Sequence, residues 1–206
     1  MDVILLEYPE TICFDDIENY LRYLTVPRQN GILKKKNENG RINTLLSRLL
    51  LLWELEQRTG IPQVKIEFVR GTHGKPYLKG SNLQFSLSHT KGAVCVAFSD
   101  KGEIGVDVER AARRVRPDLY KNVLCEEELA ALDSSGFLHF WVQKEAFLKR
   151  LGLGITQDLR GVNTFLIPNT AAVKTDRYYI GISAEEPPTT TITTISLPGL
   201  LGRYNN

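Results

Sequence analysis

The apolar positions of this chain follow two rhythms. Over residues 41–59, Leu45, Leu46, Leu49, Leu50, Leu52 and Trp53 make a broad apolar surface at helical spacing, which predicts a long, deeply packed helix. Gly60 and Pro62 stop it. Residues 14–24 carry a narrower helical stripe of Ile17, Leu21 and Leu24, with Asp15 and Asp16 near its start. Strand patterns fall at 3–6, 64–69, 83–88, 93–98 and 104–108. Between them, 26–40 is polar and basic, and "GTHGKPYL" reads as a loop.

The second half repeats the order, helix first and strands after. Helices are expected at about 126–132 and 137–151, the second ended by Gly152 and Gly154. Strand-like runs follow at 163–167, 177–182 and 189–196. This predicts an α+β protein of two similar halves, 1–102 and 103–206, the second carrying the acidic candidates for a metal described below. No linker-like stretch separates them, so a tight interface is expected.

Composition narrows the function. Of 206 residues, 42% are hydrophobic and 24% charged, ordinary for a soluble globular protein. A net charge of +2 is too small to imply nucleic-acid binding by charge alone. Cys13, Cys95 and Cys125 are scattered without metal-ligand spacing. They suit a reducing compartment better than a disulfide scaffold. Asp2 and Glu7 stand where a secretory leader would be basic. The longest apolar run, 49–53, is too short to span a bilayer. A cytoplasmic protein without membrane or nucleic-acid partners is expected.

The segment "GEIGVDVER" carries the first candidate chemistry. On a strand, Asp107 and Glu109 project to one face while Val106 and Val108 face the other. Two adjacent carboxylates repel and raise each other's pKa unless a cation lies between them. Hard oxygen donors at this density suit magnesium. A solvated strand edge, with Arg110 nearby, is the plainer alternative.

In "FWVQKEAFLKR", Trp141, Glu145 and Lys149 are four apart and share a helix face. Glu145 could add a third carboxylate to the metal, and Lys149 could reach a phosphate oxygen. A surface Glu–Lys pair is the alternative. Lys75 before Pro76, and Ser88, His89, Thr90 and Lys91 after a strand, offer the donors that a phosphate needs. Arg41 and Arg48 could share an edge of the long helix, and Arg28 with Lys34, Lys35 and Lys36 forms a basic patch.

The series "GKP", "FSLSH", "GVDVE" and "WVQKEAFLK" resembles the 4′-phosphopantetheinyl transferases, specifically the longer, surfactin-synthetase-activating type. The match covers about 41–154. The resemblance implies two lobes of helix and antiparallel sheet in a pseudo-twofold arrangement, in a monomer that binds coenzyme A between them. It implies that Asp107, Glu109 and Glu145 hold magnesium or manganese against the pyrophosphate. Lys149 would contact phosphate beside the metal. Lys75, Pro76, Ser88 and His89 would line the coenzyme, with Arg41 near its 3′-phosphate. Arg28 or Lys34 could serve upstream of Arg41. Glu128 stands where the family often carries a glutamate.

The implied reaction is attack by a serine hydroxyl of an apo acyl or peptidyl carrier protein on the β-phosphate of coenzyme A, releasing 3′,5′-ADP. Asp107, Glu109, Glu145 and Lys149 would be its catalytic residues. Glu145 or a water held by the metal would take the serine proton. Arg110, Arg113, Arg114 and Arg116 could meet an acidic carrier. A non-catalytic module that binds coenzyme A or a nucleotide is the alternative function. It would not need three carboxylates and Lys149.

Overall fold

The structure, a computed structural model, describes residues 1–132, 136–154, 158–188 and 191–205. Strand β1 (Asp2–Glu7) is followed by two 3-10 turns, Phe14–Asp16 and Glu18–Tyr23, and by helices α1 (Val26–Leu33) and α2 (Glu38–Thr59). Strands β2 (Phe68–Arg70), β3 (Pro76–Leu78), β4 (Gln84–Thr90), β5 (Ala93–Ser99) and β6 (Ile104–Arg110) come next. Helices α3 (Pro117–Val123), α4 (Glu126–Ala130) and α5 (Phe137–Leu151) follow. Strands β7 (Thr170–Lys174), β8 (Tyr178–Ala184) and β9 (Ile192–Ser196) precede the short helix α6 (Leu197–Gly202). Among the described residues no helix is long and apolar enough to cross a membrane.

The alternation along each strand stacks these elements in four layers. In β1 and β5, Ile4, Leu6, Val94, Val96 and Phe98 meet the leucines of α2 in one core. Val3, Leu5, Ala93, Cys95 and Ala97 point the other way, against Val106, Val108, Ile180 and Ile182 of the second sheet. The small residues of β5 let the second sheet approach. The order is therefore α2, the sheet β4-β5-β1-β9, the sheet β6-β8-β7, and α5. Strands β2 and β3 form a separate hairpin.

The outer face of the second sheet is cut away for α5. A Cβ at Gly105 of β6 would overlap the carbonyl oxygen of Ala146, and one at Gly181 of β8 would overlap that of Val142. The helix backbone thus lies directly on the sheet at two points. Any side chain there would push it off.

The mixed α+β class with antiparallel pairing holds, with one exception. Strand β9 pairs parallel to β1, Val3 opposite Ile192, so the last segment returns to the first sheet. Several local expectations differ. The stripe at 14–24 forms two 3-10 turns, because Ile17 breaks the helix at φ −128°. The polar stretch 26–40 contains α1, begun by Pro27 in its first turn, and the first residues of α2. Of 64–69, only the end is strand, after a 3-10 turn at Gln63–Lys65. Segment 163–167 is a turn in which Asn163 Oδ1 accepts from Phe165 N, leaving Phe165 and Leu166 exposed. The loop expected at 71–78 ends in strand β3, and helices α3 and α6 and strand β7 lie where no element is expected. The first residues of the expected strand at 189–196 lie outside the described ones, as does the tail residue 206.

Candidate active site

The inward residues of β6 are Ile104, Val106 and Val108, so its outward residues face α5. Asp107 is the centre of this face, 6% exposed. Its Oδ1 accepts from Ser88 Oγ of β4 and from Lys149 Nζ of α5, both at 2.7 Å. Lys149 Nζ also donates to Ser88 Oγ at 2.8 Å. One residue from each of three elements closes this triangle. It depends on the glycine contacts, which bring α5 close enough for Lys149 to span the gap. The neighbouring Ser86 Oγ accepts from Val106 N at 3.0 Å, tying β4 to the edge of the second sheet.

The triangle leaves acid uncompensated. Asp107 Oδ2 and Glu145 Oε1 are buried without a hydrogen-bond partner among the described residues. Burial raises Glu145 to about 7, and Asp107 and Glu109 add to the rise against the pull of Lys149. Burial, only partly offset by Arg113, and nearby Asp107 also raise Glu109. Arg113 pairs with Glu109 and lies over the Trp141 ring, 5.2 Å from its centre. Among the described residues no three carboxylate, histidine or cysteine side chains form a ready ligand cage. The donor chemistry nonetheless fits a hard dication, since two orphaned carboxylate oxygens face each other's charge.

This has a consequence for stability. In the metal-free protein Glu145 keeps its proton up to about 7, against 4.5 for an ordinary glutamate. Between these values the unfolded chain has released a proton that the folded chain still holds. Stability from this group is greatest below 4.5 and is lost as pH rises to about 7. Thermal melts of the metal-free protein should therefore show Glu145→Gln gaining on the parent across that window. A constant difference between the two would mean that Glu145 ionises normally.

A cavity of about 680 Å³ opens on the other face of β4, lined by Arg28, Arg48, Arg70, Pro76 and His89. Burial, then Arg28 and Arg70, lower the pKa of Arg48. The cavity's own acid, Glu67, pairs with Lys79 at 2.7 Å. An arginine cluster so placed is a site for an anion with several charges. His89 is reached by solvent but sits in the concavity. Burial and then Lys149 lower its pKa, which favours the neutral ring.

Two family descriptions match this chain. Residues 13–101 match "4′-phosphopantetheinyl transferase, N-terminal", and residues 103–190 match "4′-phosphopantetheinyl transferase superfamily". The chain belongs to the 4′-phosphopantetheinyl transferase superfamily. It is 29% identical, over 76% of its length and 64% of the relative's, to the L-aminoadipate-semialdehyde dehydrogenase-phosphopantetheinyl transferase of Saccharomyces cerevisiae. To the 4′-phosphopantetheinyl transferase psf-1 of Bacillus pumilus it is 30% identical, over 56% of this chain and 52% of that one. To the 4′-phosphopantetheinyl transferase Sfp of Bacillus subtilis it is 23% identical, over 70% and 67%. The chain thus spans between about half and two thirds of the length of these relatives.

Within this phosphopantetheinyl transferase chain, Asp107, Glu109, Glu145, Lys149 and Ser88 come together, and Pro76 and His89 border the cavity. Two further residues expected at the coenzyme have their polar ends engaged elsewhere. Arg41 turns back to Lys35 O at 3.1 Å and over Phe14, while Arg48, two turns on, enters the cavity. Lys75 lines a smaller cavity of about 300 Å³ with Pro76 and Lys149, but its ammonium is bonded to Glu103, Ile104 O and Arg150 O. No motif in the sequence marks Arg70. The signal for Arg48 was present: Thr44, Ser47 and Arg48 interrupt the leucines of α2 on one face, and all three line the cavity. Glu128, a possible site residue, is instead a fully buried partner of Lys144. Of the basic stretch, Arg110 pairs with Glu10 and Arg116 with Asp118, while Arg114 is exposed.

Proposed function

We propose that this chain transfers the 4′-phosphopantetheine arm of coenzyme A to a serine of an apo carrier protein, releasing 3′,5′-ADP. The observation that carries this reading is the partly buried Asp107–Ser88–Lys149 triangle beside Glu145, backed by an arginine-lined cavity across β4. The cavity suits the charged nucleotide end, with Arg28, Arg48 and Arg70 for phosphate and His89 at its edge. Asp107, Glu109 and Glu145 would hold a magnesium or manganese ion, which supplies neutralisation of the pyrophosphate charge. Lys149 has one ammonium proton left after Ser88 and Asp107, and 30% of its side chain is exposed. It is placed to take up charge on the leaving phosphate. As the serine oxygen bonds to the β-phosphorus and the bridging bond to 3′,5′-ADP breaks, the serine proton needs an acceptor. Glu145 Oε1, buried and unpartnered, is the acceptor we assign.

In this reading the halves 1–102 and 103–206 act as two lobes of a monomer of the surfactin-synthetase-activating type, with the coenzyme between them. Arg113 borders the acidic centre and Arg114, next to it in sequence, is exposed, and both suit an acidic carrier. The free thiols of Cys13, Cys95 and Cys125 suit the cytoplasm. The test is to incubate the protein with coenzyme A, magnesium and a panel of apo carriers, and to read intact carrier mass. A gain of one phosphopantetheine, abolished by chelator, is expected. Coenzyme binding without any gain would support a non-catalytic binding module instead.

A further inference from the structure

We infer that Lys75 is a positioning residue that clamps the two halves together behind Lys149, and that its side chain is not a ligand of the coenzyme's phosphates. The inference rests on the reading of the site given above. An ammonium has three protons to donate. Those of Lys75 go to Glu103 Oε2, to Ile104 O at 3.1 Å and to Arg150 O at 2.9 Å. The side chain is 8% exposed, against 30% for Lys149, which has bonded only Ser88 and Asp107. Lys149 keeps a proton for a phosphate and Lys75 does not.

The three partners of Lys75 explain what it does instead. It leaves the loop between β2 and β3, in the first half, and ends on the second. Ile104 and Glu103 lie at the start of β6, the strand that carries Asp107. Arg150 O belongs to the last turn of α5, where carbonyls lack helical partners and the helix end is partly negative. Lys75 satisfies that carbonyl and stops the last turn from fraying. The residue before it is Lys149. Fixing Arg150 O and Ile104 O to one nitrogen therefore fixes the separation of α5 and β6 where Lys149 must reach Asp107. The loop that presents Lys75 is itself held, with Gly71 N donating to Lys75 O at 2.9 Å and Arg70 to Gly74 O at 2.9 Å.

The clamp and the phosphate-ligand roles predict different 3′,5′-ADP binding for one substitution, unchanged for the first and tighter for the second. Glu103→Gln weakens the clamp, whereas it would release Lys75 toward a phosphate. The experiment measures 3′,5′-ADP binding by calorimetry and transfer kinetics for Lys75→Met, Glu103→Gln and the double variant. The clamp predicts 3′,5′-ADP affinity within about twofold of the parent for each, with kcat lowered about tenfold to a hundredfold in Lys75→Met by misplacement of Lys149. Glu103→Gln should lower kcat less, and the double variant should be no worse than Lys75→Met. Tenfold weaker 3′,5′-ADP binding in Lys75→Met, or tighter binding in Glu103→Gln, would overturn the inference. Should Lys75→Met not fold, Glu103→Gln, at a residue a third exposed, still decides by whether 3′,5′-ADP binding tightens or stays within twofold. A parent that binds 3′,5′-ADP without transferring the arm would overturn the proposed activity, and the binding comparison would still judge Lys75.

Discussion

Asp107→Asn should lower transfer to a carrier by about 10²–10³-fold while leaving the fold intact. Asparagine keeps the shape, so Ser88 Oγ and Lys149 Nζ can still donate to the side-chain oxygen. What is lost is the charge at the meeting point of β4, β6 and α5. Metal-free stability should not fall. The ion pair with Lys149 is partly exposed and contributes modestly. Against that, Asp107 raises the pKa of both Glu145 and Glu109, so its neutralisation relieves a repulsion that the folded protein carries. A functional centre built of like charges weakens the fold that holds it. Carrier mass gain and a metal-free thermal melt, measured on the same preparation, check both halves. Near-parental transfer would remove Asp107 from the reaction. A collapsed melt would make its role structural.

The sequence was most legible where one face of an element is wholly buried. The leucines of α2 leave no doubt about its period, because Leu45, Leu46, Leu49, Leu50, Leu52 and Leu55 are all inaccessible. The alternation of Val106 and Val108 with Asp107 and Glu109 gave the face of the site directly. Helix α1 was missed because Ile32 is its one buried residue, which sets no period. Segment 163–167 misled because Phe165 and Leu166 are large apolar residues left exposed by an Asn163 turn. The parallel return of β9 to β1 joins residues at opposite ends of the chain, and local spacing carries no record of such a pairing. Within the site, the meeting of Asp107, Glu145 and Lys149 was legible from strand and helix periods together with the family resemblance. The direction of Lys75 was not. A lysine stem reaches in many directions, and Glu103, 28 residues on, decides this one.

Lys144→Met should cost about 3–5 kcal/mol of stability, more than any other single change on the faces of α5. Lys144 directly precedes Glu145, yet it turns away from the acidic centre. Its side chain and that of Glu128 are both 0% exposed, 2.6 Å apart. Lys144 Nζ also donates to Val123 O and Leu159 O, each at 2.8 Å. Glu128 accepts from Cys125 N at 3.0 Å, Thr164 N at 2.9 Å and Thr164 Oγ1 at 2.8 Å. The pair thereby fastens segments on both sides of α5 to the helix. Methionine fills the volume but leaves a buried carboxylate without its cation, and that is the main cost. Adding Glu128→Gln removes the charge and keeps an acceptor, so the double variant should be more stable than Lys144→Met alone. Urea unfolding of the two singles and the double measures the coupling. Simple additivity would mean that the pair is not the source of the loss. Activity separates the two meanings of this motif. If Lys144 acts only through the fold, the folded double variant transfers the arm at close to the parental rate, whereas Glu145→Gln stays impaired however well it folds.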